Sequence, residues 1–594
     1  MLSFAVFDTS APANAAAGGE PGSGGAAGGF VLRHASLVGP DDTPLTAEIR
    51  YENNLVLCQK RTPDAAALRL QFRVDPPSPP PAAKLPAALL PEREGPSFLT
   101  LQTCLLPERD WPYLLSLELA RHRLMLVINK LEDWALFDLA PEDPVMATFE
   151  AARQAFTAAV AAAGERPSQP GAGRYTAEAD RLARHALSLA FEASELLALK
   201  HAQVMHAKRV SGELASLAAA YRPPANALTD HETVESRNLL LGSPGVILPG
   251  QPTIGCAVNP EQFTPALQRL VASSCDFIRM PMRWVDMEPT EGKYAFAATD
   301  RWIEWAVRTA KLPVAAGPVI DFRPRCVPQW LYIWEHDYET LRELVYEHVR
   351  NIVTRYRRTV STWTIVSGLH ASSGFSLSID QVMDLTRICI LLVRKLQPGA
   401  QVHVEIDAPW GEGAARTHRT VPPTDYAEMV NQANLNPDAF GLRIAMGQPE
   451  PGRSTRDLMQ LSTLLDRYAT LQKPITLSAI SAPSRPADPD SLGLEGELEP
   501  GYWRAPWDPA AQARWLTAIA GVAAAKPYVQ SICWDVLYDD PRDPKGSAGA
   551  GGGDGEGLAT PAGEPKPAMR RLGEIRQALR EKRSPLTLPA PSMA

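Results

Sequence analysis

Nowhere in the 594 residues is there a run of about 18 uninterrupted apolar side chains, so no segment of the sequence is suited to span a bilayer. Long blocks of one charge are missing as well. The net charge of -8 is spread along the chain, which leaves no basic stripe for a phosphate backbone. Neither membrane nor nucleic acid is therefore expected as a partner. Cysteine is scarce: Cys58, Cys104, Cys256, Cys275, Cys326, Cys389 and Cys533 are an odd set with no C-x-x-C pair. Several lie in apolar runs, where a thiol behaves as a small hydrophobe, so structural burial is expected over metal or redox work. No metal, nucleotide or flavin signature occurs, and no cofactor is implied. The N-terminus has no basic n-region, and Asp8 breaks its short apolar stretch. A cytoplasmic location is the default expectation, with the small-residue run Ala13 to Ala17 leaving export open. Oligomeric state leaves no mark on the sequence.

What is present is ordinary for a globular chain: 45% hydrophobic and 21% charged residues, with 55 prolines concentrated in linkers and insertions. The length suggests about three or four domains. Residues 1–29 read as a disordered segment, because Ala11 to Gly29 is rich in Gly, Ala and Pro. From 30 to 138 the period is two. In LRLQFRV, Leu68, Leu70, Phe72 and Val74 face one way, and Arg69, Gln71 and Arg73 the other. FLTLQTCLL and RLMLVINKL extend the theme, around a proline-rich loop from Asp75 to Pro91. A β-rich, sandwich-like accessory domain is expected, structural or sugar-binding.

Residues 139–225 change to helical period. Pro144 to Ala163 is alanine-rich, and Gly164 to Gly173 is a linker. Thr176 then caps a helix with Glu178 and Asp180 in its first turn. Leu182, Ala186, Leu189, Ala193 and Leu196 form its apolar stripe. The pair reads as a helical hairpin, with His185, His201 and His206 expected on its surface.

From 240 to 583 short apolar runs alternate with amphipathic stretches: IGCAV, FIRMPMRW, PVAAGPVI, TWTIVSG, QVHVEI, AFGLRI, PITLSAI and SICWDV. Eight βα repeats of this length match an α/β fold, a closed (β/α)₈ TIM barrel. Residues 584–594 form a tail. The glycine-rich run Gly546 to Gly563 falls between the last strand and its helix, as a disordered loop or a mobile lid over the mouth.

Several of these runs resemble glycoside hydrolase family 10, the xylanase family, in matching order. MRWVDMEPTEGKYAFAATD is similar to the family's Lys-Trp, Glu-Pro, Gly-x-Tyr-x-Phe and Asp pattern, through Arg283, Trp284, Glu288, Pro289, Gly292, Tyr294, Phe296 and Asp300. VPQWLY resembles the Pro-x-Trp after the third strand. HVRNIVTRYRRTVSTWTIV resembles the helix and strand that lead into Trp-Asp-Val-Val-Asn-Glu, and Cys533-Trp534-Asp535 resembles the end of the last strand. The resemblance implies a polysaccharide-directed O-glycosyl hydrolase, xylanase-like. Yet Ser367-Gly368 stand where the family's acid/base motif ends in Asn-Glu, and Thr476-Leu477-Ser478-Ala479 replace its Thr-Glu-x-Asp nucleophile motif. Pro318 replaces a histidine, and Met280-Pro281 replace an Asn-Glu. A retaining glycosidase needs two carboxyls about 5–5.5 Å apart, and glycine and leucine supply neither.

Carboxylates at the C-terminal ends of the strands are the remaining candidates, because loops there build the site in this fold. Asp321 follows the third run, Glu405 and Asp407 close the fifth, and Glu412 lies just beyond. Asp535, Asp539 and Asp540 follow the eighth. Asp407 or Glu412 with Asp535 is the candidate catalytic pair, in inverting geometry. Alternatively these are solvated acids or partners of Arg279, Arg283, Arg323 and Arg443. Arg283, Trp284, Asp321, Trp330, His370, Glu405, Trp410 and Trp534 are the candidate substrate-binding set, since indole faces stack on pyranose rings and polar groups bond hydroxyls. Trp363 is divided between site and core, and Trp503 and Trp507 between covering the cleft and packing. Two functions follow: a family 10-like hydrolase with relocated carboxylates, or an inactive barrel that binds oligo- or polysaccharide or serves as a scaffold.

Overall fold

The alternation in LRLQFRV forms the strand it suggests, Ala67–Val74, but one buried on nearly every side chain. Arg69 and Gln71 face inward too, because a second body of protein covers that side: Arg69 Nη1 donates to the Trp410 carbonyl at 2.9 Å. The structure, a computed structural model, describes residues 1–7, 30–78, 95–164, 175–220, 243–371, 374–414, 420–539 and 555–591. Most of the N-terminal segment, the proline-rich loop, the linker 165–174, residues 221–242, Asp540, the glycine-rich stretch up to 554 and the end of the tail lie outside the described residues.

Two four-stranded sheets make the N-terminal part. One runs Ala47–Glu52, Leu55–Lys60, Leu2–Ala5, Tyr113–Leu114; the other runs Pro44–Leu45, Ser36–Val38, Ala67–Val74, Ser97–Gln102. Neighbours are antiparallel except Leu2–Ala5 against Tyr113–Leu114. The expected strand in RLMLVINKL is instead helix α1, Leu115–Asp133. Its buried side chains Leu115, Leu119, Ala120, Leu124, Val127 and Leu131 recur at three- and four-residue spacing, and good helix formers fill the gaps. A short stretch of alternating apolar residues fits either period, and tertiary burial decides it.

Helices α2, Pro144–Ala163, and α3, Ala177–Ser211, form the expected hairpin, and α3 packs against α1 as well. Thr176 caps α3 by accepting from Ala179 N at 3.1 Å, and Gly212 ends it in the left-handed region. Two of its three histidines are not on the surface. His201 stacks flat on Trp134 at 4.1 Å, and His206 is buried. Gln203 and Ala207, on the same stretch of helix, take the solvent face instead.

All eight anticipated βα repeats are present. The barrel strands are Thr253–Ala257, Phe277–Met280, a third in two pieces (Val314–Ala316 and Ile320–Asp321), Thr362–Ser367, Gln401–Asp407, Ala439–Ala445, Ile475–Ser481 and Val529–Trp534. Every neighbour is parallel, and the eighth pairs back to the first, Ser531 opposite Thr253, so the sheet closes. The third strand breaks at Gly317, which sits at φ 119, where a Cβ would overlap the Thr364 carbonyl oxygen. Helices follow the strands around the outside. The alanine-rich Pro509–Ala525 is buried on nearly all sides because α3 packs over it.

The N-terminal layers dock on the loops after the fifth, sixth and seventh strands. Phe98 and Tyr502 exchange backbone hydrogen bonds at 3.0 Å, and Thr100 N donates to Thr455 O. Arg123 grips Asp457 in a two-pronged pair at 3.0 and 2.7 Å. Arg504 pairs with Glu192 at 2.7 Å and with Glu195 at 3.0 Å, all buried.

Candidate functional site in the barrel

Side chains that alternate inward along the strands stack in tiers. At the N-terminal end, Thr362, Thr364, His403, Thr476 and Ser531 help line a cavity of about 210 Å³. His403 Nε2 and Thr476 Oγ1 have no hydrogen-bond partner there, and burial lowers the His403 pKa to about 4, so the imidazole is neutral.

The middle tier is ionic. Glu405 is fully buried and accepts from Ser367 Oγ at 2.7 Å, Ser478 Oγ at 2.6 Å, Arg279 Nη2 at 2.8 Å and Arg443 Nε at 3.2 Å. Asp535 closes the ring, taking Arg279 Nη1 at 3.3 Å and Arg443 Nη1. Burial alone would raise the Glu405 pKa, but Arg279 and Arg443, helped by the two hydroxyls, hold it well below the usual carboxylate range. The same two carboxylates push Arg443 up against its burial. Two acids and two guanidiniums thus balance one another in charge at the centre of the barrel, with Arg279 Nε and Arg443 Nη2 left without a hydrogen-bond partner.

At the mouth, Arg323 grips Asp321 and lies 3.8 Å from Asp407. Arg453 Nη2 reaches Asp407 at 3.2 Å. Burial raises the Asp407 pKa, and Arg453, Arg323 and Arg443 more than offset it, so it stays ionised. Arg453 Nη1 meets Gln448 Oε1 at 3.3 Å, and Gln448 Nε2 donates to Glu556. Glu556 is the exception among these acids. Burial, with Asp535 nearby, outweighs the Gln448 hydrogen bond and raises its pKa to about 7. A chain of contacts therefore joins an ionised carboxylate, Asp407, to one poised near neutrality, a difference that acid/base sites exploit.

Glu556 lies in the glycine-rich run expected to be a loose loop or lid. Its described part is pinned: Gly555 O accepts from Ser484 Oγ at 2.7 Å and Lys566 Nζ at 3.3 Å, and Gly557 N donates to Asp539 Oδ1 at 2.7 Å. Composition reads as floppiness, whereas Glu556, one of two acids among the glycines, was the available signal for a placed side chain.

The sequence-derived candidates divide. Asp321, Glu405, Asp407 and Asp535 come together inside the barrel and its mouth, each held by arginine. His370 joins them through Nε2, which donates to the Asp407 carbonyl at 3.0 Å. A carbonyl only accepts, so the proton is on Nε2, and burial lowers the ring's pKa to about 4. Arg283 turns away to Asp286 at 2.6 Å. Trp284 and Trp534 have no open face for a pyranose. Trp284 stacks on His348 at 4.2 Å and bonds Glu288 at 2.9 Å, while Trp534 is fully buried and donates to the Glu556 carbonyl at 3.0 Å. Trp330, half-buried, packs edge-on to Trp284 at 6.2 Å. Trp363 is core, bonded to Gln397 at 3.0 Å. Trp410 and Glu412 leave the mouth for the contact with the N-terminal sheet, where Arg456 pairs with Glu412 and lies 4.2 Å above the Trp410 ring. Trp503 also serves that contact, donating to Glu195 at 3.0 Å, and Trp507 bonds Gly501 O at 2.9 Å.

The two positions where the resemblance would put family 10 carboxylates, Gly368 and Leu477, are tightly packed. Gly368 sits at φ 59, and a Cβ there would meet the Asp407 Cβ at 3.2 Å. Thr476 and Ser478 face the interior, so Leu477 between them points to the helix layer, where it is fully buried.

Residues 248–380 match the family model for glycosyl hydrolase family 10. Among curated proteins the chain is similar to endo-1,4-beta-xylanase B of Humicola insolens, with 23% identity over 179 residues, 29% of this chain and 46% of that protein. It thus spans about half the length of that relative. Among solved structures, it resembles GH10 from Paenibacillus barcinonensis at 18% identity and TM-score 0.40, covering 55% of this chain and 95% of that one. Xylanase 10B from Thermotoga maritima is similar at 15% identity and TM-score 0.41, covering 56% of this chain and 97% of that one. Among the described residues, no group of three or more His, Cys, Asp or Glu could hold a metal, and no helix is long and apolar enough to cross a membrane.

Proposed function

We propose that this barrel binds saccharide without hydrolysing it. The observation that carries the reading is the closed ring of Glu405, Asp535, Arg279 and Arg443. A general acid must hold a proton near working pH, and a nucleophile must have a free oxygen. Glu405 has neither: it is ionised, and its oxygens are engaged by two arginines and two serines. The family 10 match over 248–380 favours saccharide as the ligand class, and Arg323, Gln448 and Arg453 supply polar groups for hydroxyls at the mouth.

Affinity electrophoresis in gels containing xylan or other β-glucans tests the binding, beside turnover assays on the same polymers and on aryl xylosides. Retarded migration, lost in Arg453→Ala, with turnover no greater than that of Glu405→Gln, is the expected result. Unretarded wild-type protein on every polymer would refute binding.

A second reading, hydrolysis by a relocated pair, is favoured by the contrast between Glu556 near neutrality and ionised Asp407. In that reading Glu556 protonates the leaving oxygen and Asp407 activates water, as in an inverting enzyme. Wild-type turnover abolished by both Glu556→Gln and Asp407→Asn would establish it and displace the first.

A further inference from the structure

Between the N-terminal sheet and the barrel lies a pocket of about 100 Å³ whose wall is rich in cations. Arg69, Arg456 and Arg467 line it, with Asp42 as the only carboxylate on the wall and Trp410 among the apolar lining. Asp42 already serves two of the arginines, pairing with Arg467 and lying 3.6 Å from Arg69. Glu412 pairs with Arg456 through Oε1; its Oε2 has no partner and it is not among the pocket's lining residues. Three guanidiniums against two carboxylates leave one positive charge in excess.

Two donors on this wall are unused. Arg456 is buried, and its Nη1 has no hydrogen-bond partner; Thr463 Oγ1, on the next turns of the same helix region, has none either. Desolvation outweighs Glu412 and lowers the Arg456 pKa to about 10, as for a cation that is under-compensated where it stands. A buried guanidinium nitrogen left without an acceptor is costly, and an anionic oxygen is its strongest partner. The pocket has room for several waters, and so for a carboxylate or a phosphate group.

We propose that this interdomain pocket is a binding site for a small oxyanion, a carboxylate or a phosphate group, held by the Arg456 guanidinium and the Thr463 hydroxyl. One negative charge completes the local balance. Because the wall comes from both the N-terminal sheet (Asp42, Arg69, Gln102) and the barrel (Trp410, Arg456, Thr463), the bound anion ties the two together.

Titration calorimetry of the full chain with inorganic phosphate and with acetate, at constant ionic strength and with glycerol as a neutral control, tests the site. Saturable one-to-one binding of either anion is expected, with glycerol silent. Thr463→Val, which keeps shape and loses the hydroxyl, should weaken binding about tenfold, the scale of one hydrogen bond to a charged group. Arg456→Met combined with Glu412→Leu removes the guanidinium without orphaning the carboxylate, and should abolish binding while circular dichroism stays native. Phosphate binding identifies a tetrahedral ligand class, and acetate binding alone a carboxylate. Failure of both anions to saturate, or equal affinity in Thr463→Val and the wild type, overturns the proposal.

Discussion

Replacing Glu405 with glutamine removes one charge from the central ring and changes little else in volume. Arg279 and Arg443 would then share only Asp535, and the new amide would present a donor to one of two guanidiniums that can only donate. Breaking a buried ionic network by removing one member costs about 3–5 kcal/mol, because an uncompensated charge stays buried. At roughly 2–4 °C per kcal/mol for domains of moderate size, the melting temperature at pH 7 should fall by roughly 6–20 °C. Scanning calorimetry and urea titration measure it. The folded-state pKa of Glu405 is depressed, so its stabilisation is fully present above the unfolded value near 4.3 and is lost as pH falls through the folded one. The gap between wild type and variant should therefore be constant above about pH 5 and narrow progressively below it. Adding Arg443→Met should recover part of the loss, since the orphaned cation leaves with its partner. The opposite outcome is informative. Residues kept for chemistry are commonly destabilising, and their neutral replacements raise stability. A Glu405→Gln protein that melts at or above the wild-type temperature would refute the structural reading of the ring.

Glu556 has the reverse sign. Its folded pKa of about 7 lies above the ordinary carboxylate value, so the folded state binds the extra proton between about pH 4.5 and 7 and stability falls as pH rises through that window. Glu556→Gln, a mimic of the protonated form, should match the wild type at pH 5 and exceed it at pH 8 by roughly 3 kcal/mol, read from urea midpoints; identical profiles would show that the carboxyl ionises freely. Placing glutamates where the family 10 resemblance points, by Gly368→Glu with Leu477→Glu, should yield no xylan hydrolysis and should lower stability, because one site is strained against Asp407 and the other faces the helices. Turnover by that double variant, in a reducing-sugar assay, would show that the interior can open.

The barrel was legible because repetition is a strong signal. Eight apolar runs separated by helix-length segments leave few closed topologies, and each run overlaps its strand, though FIRMPMRW continues four residues past Met280. RLMLVINKL misled because a nine-residue stretch satisfies period two and period 3.6 equally well. Only the contacts of Leu119, Leu124, Val127 and Leu131 with the rest of the core decide it. At the site, the arginines proposed as alternative partners, Arg279, Arg323 and Arg443, do hold carboxylates. Their pairing across the barrel depends on inward alternation from distant strands, and so on register. The tryptophans were harder. A strand-end indole faces the mouth or packs beneath it depending on one residue of register, and Trp284 and Trp534 pack beneath. Trp410 and Glu412 were placed at the mouth because loops there usually serve a ligand, and nothing local announces that a second sheet claims them.

That claim bears on the chemistry. In a barrel enzyme the loops after successive strands are free to converge on a substrate. Here the loops after the fifth, sixth and seventh strands carry Trp410, Thr455, Asp457, Trp503 and Arg504 into hydrogen bonds and ion pairs with the N-terminal layers. Arg504 alone holds two buried glutamates, so moving its loop would strand charges worth several kcal/mol. Loops tied down at that cost are poor lids. Closing these loops around a bound sugar would break those pairs, whereas a fixed polar rim can take one without moving. Loops anchored by Arg504 and Asp457 and interior acids paired to Arg279 and Arg443 are both what the proposed saccharide-binding reading expects of this mouth.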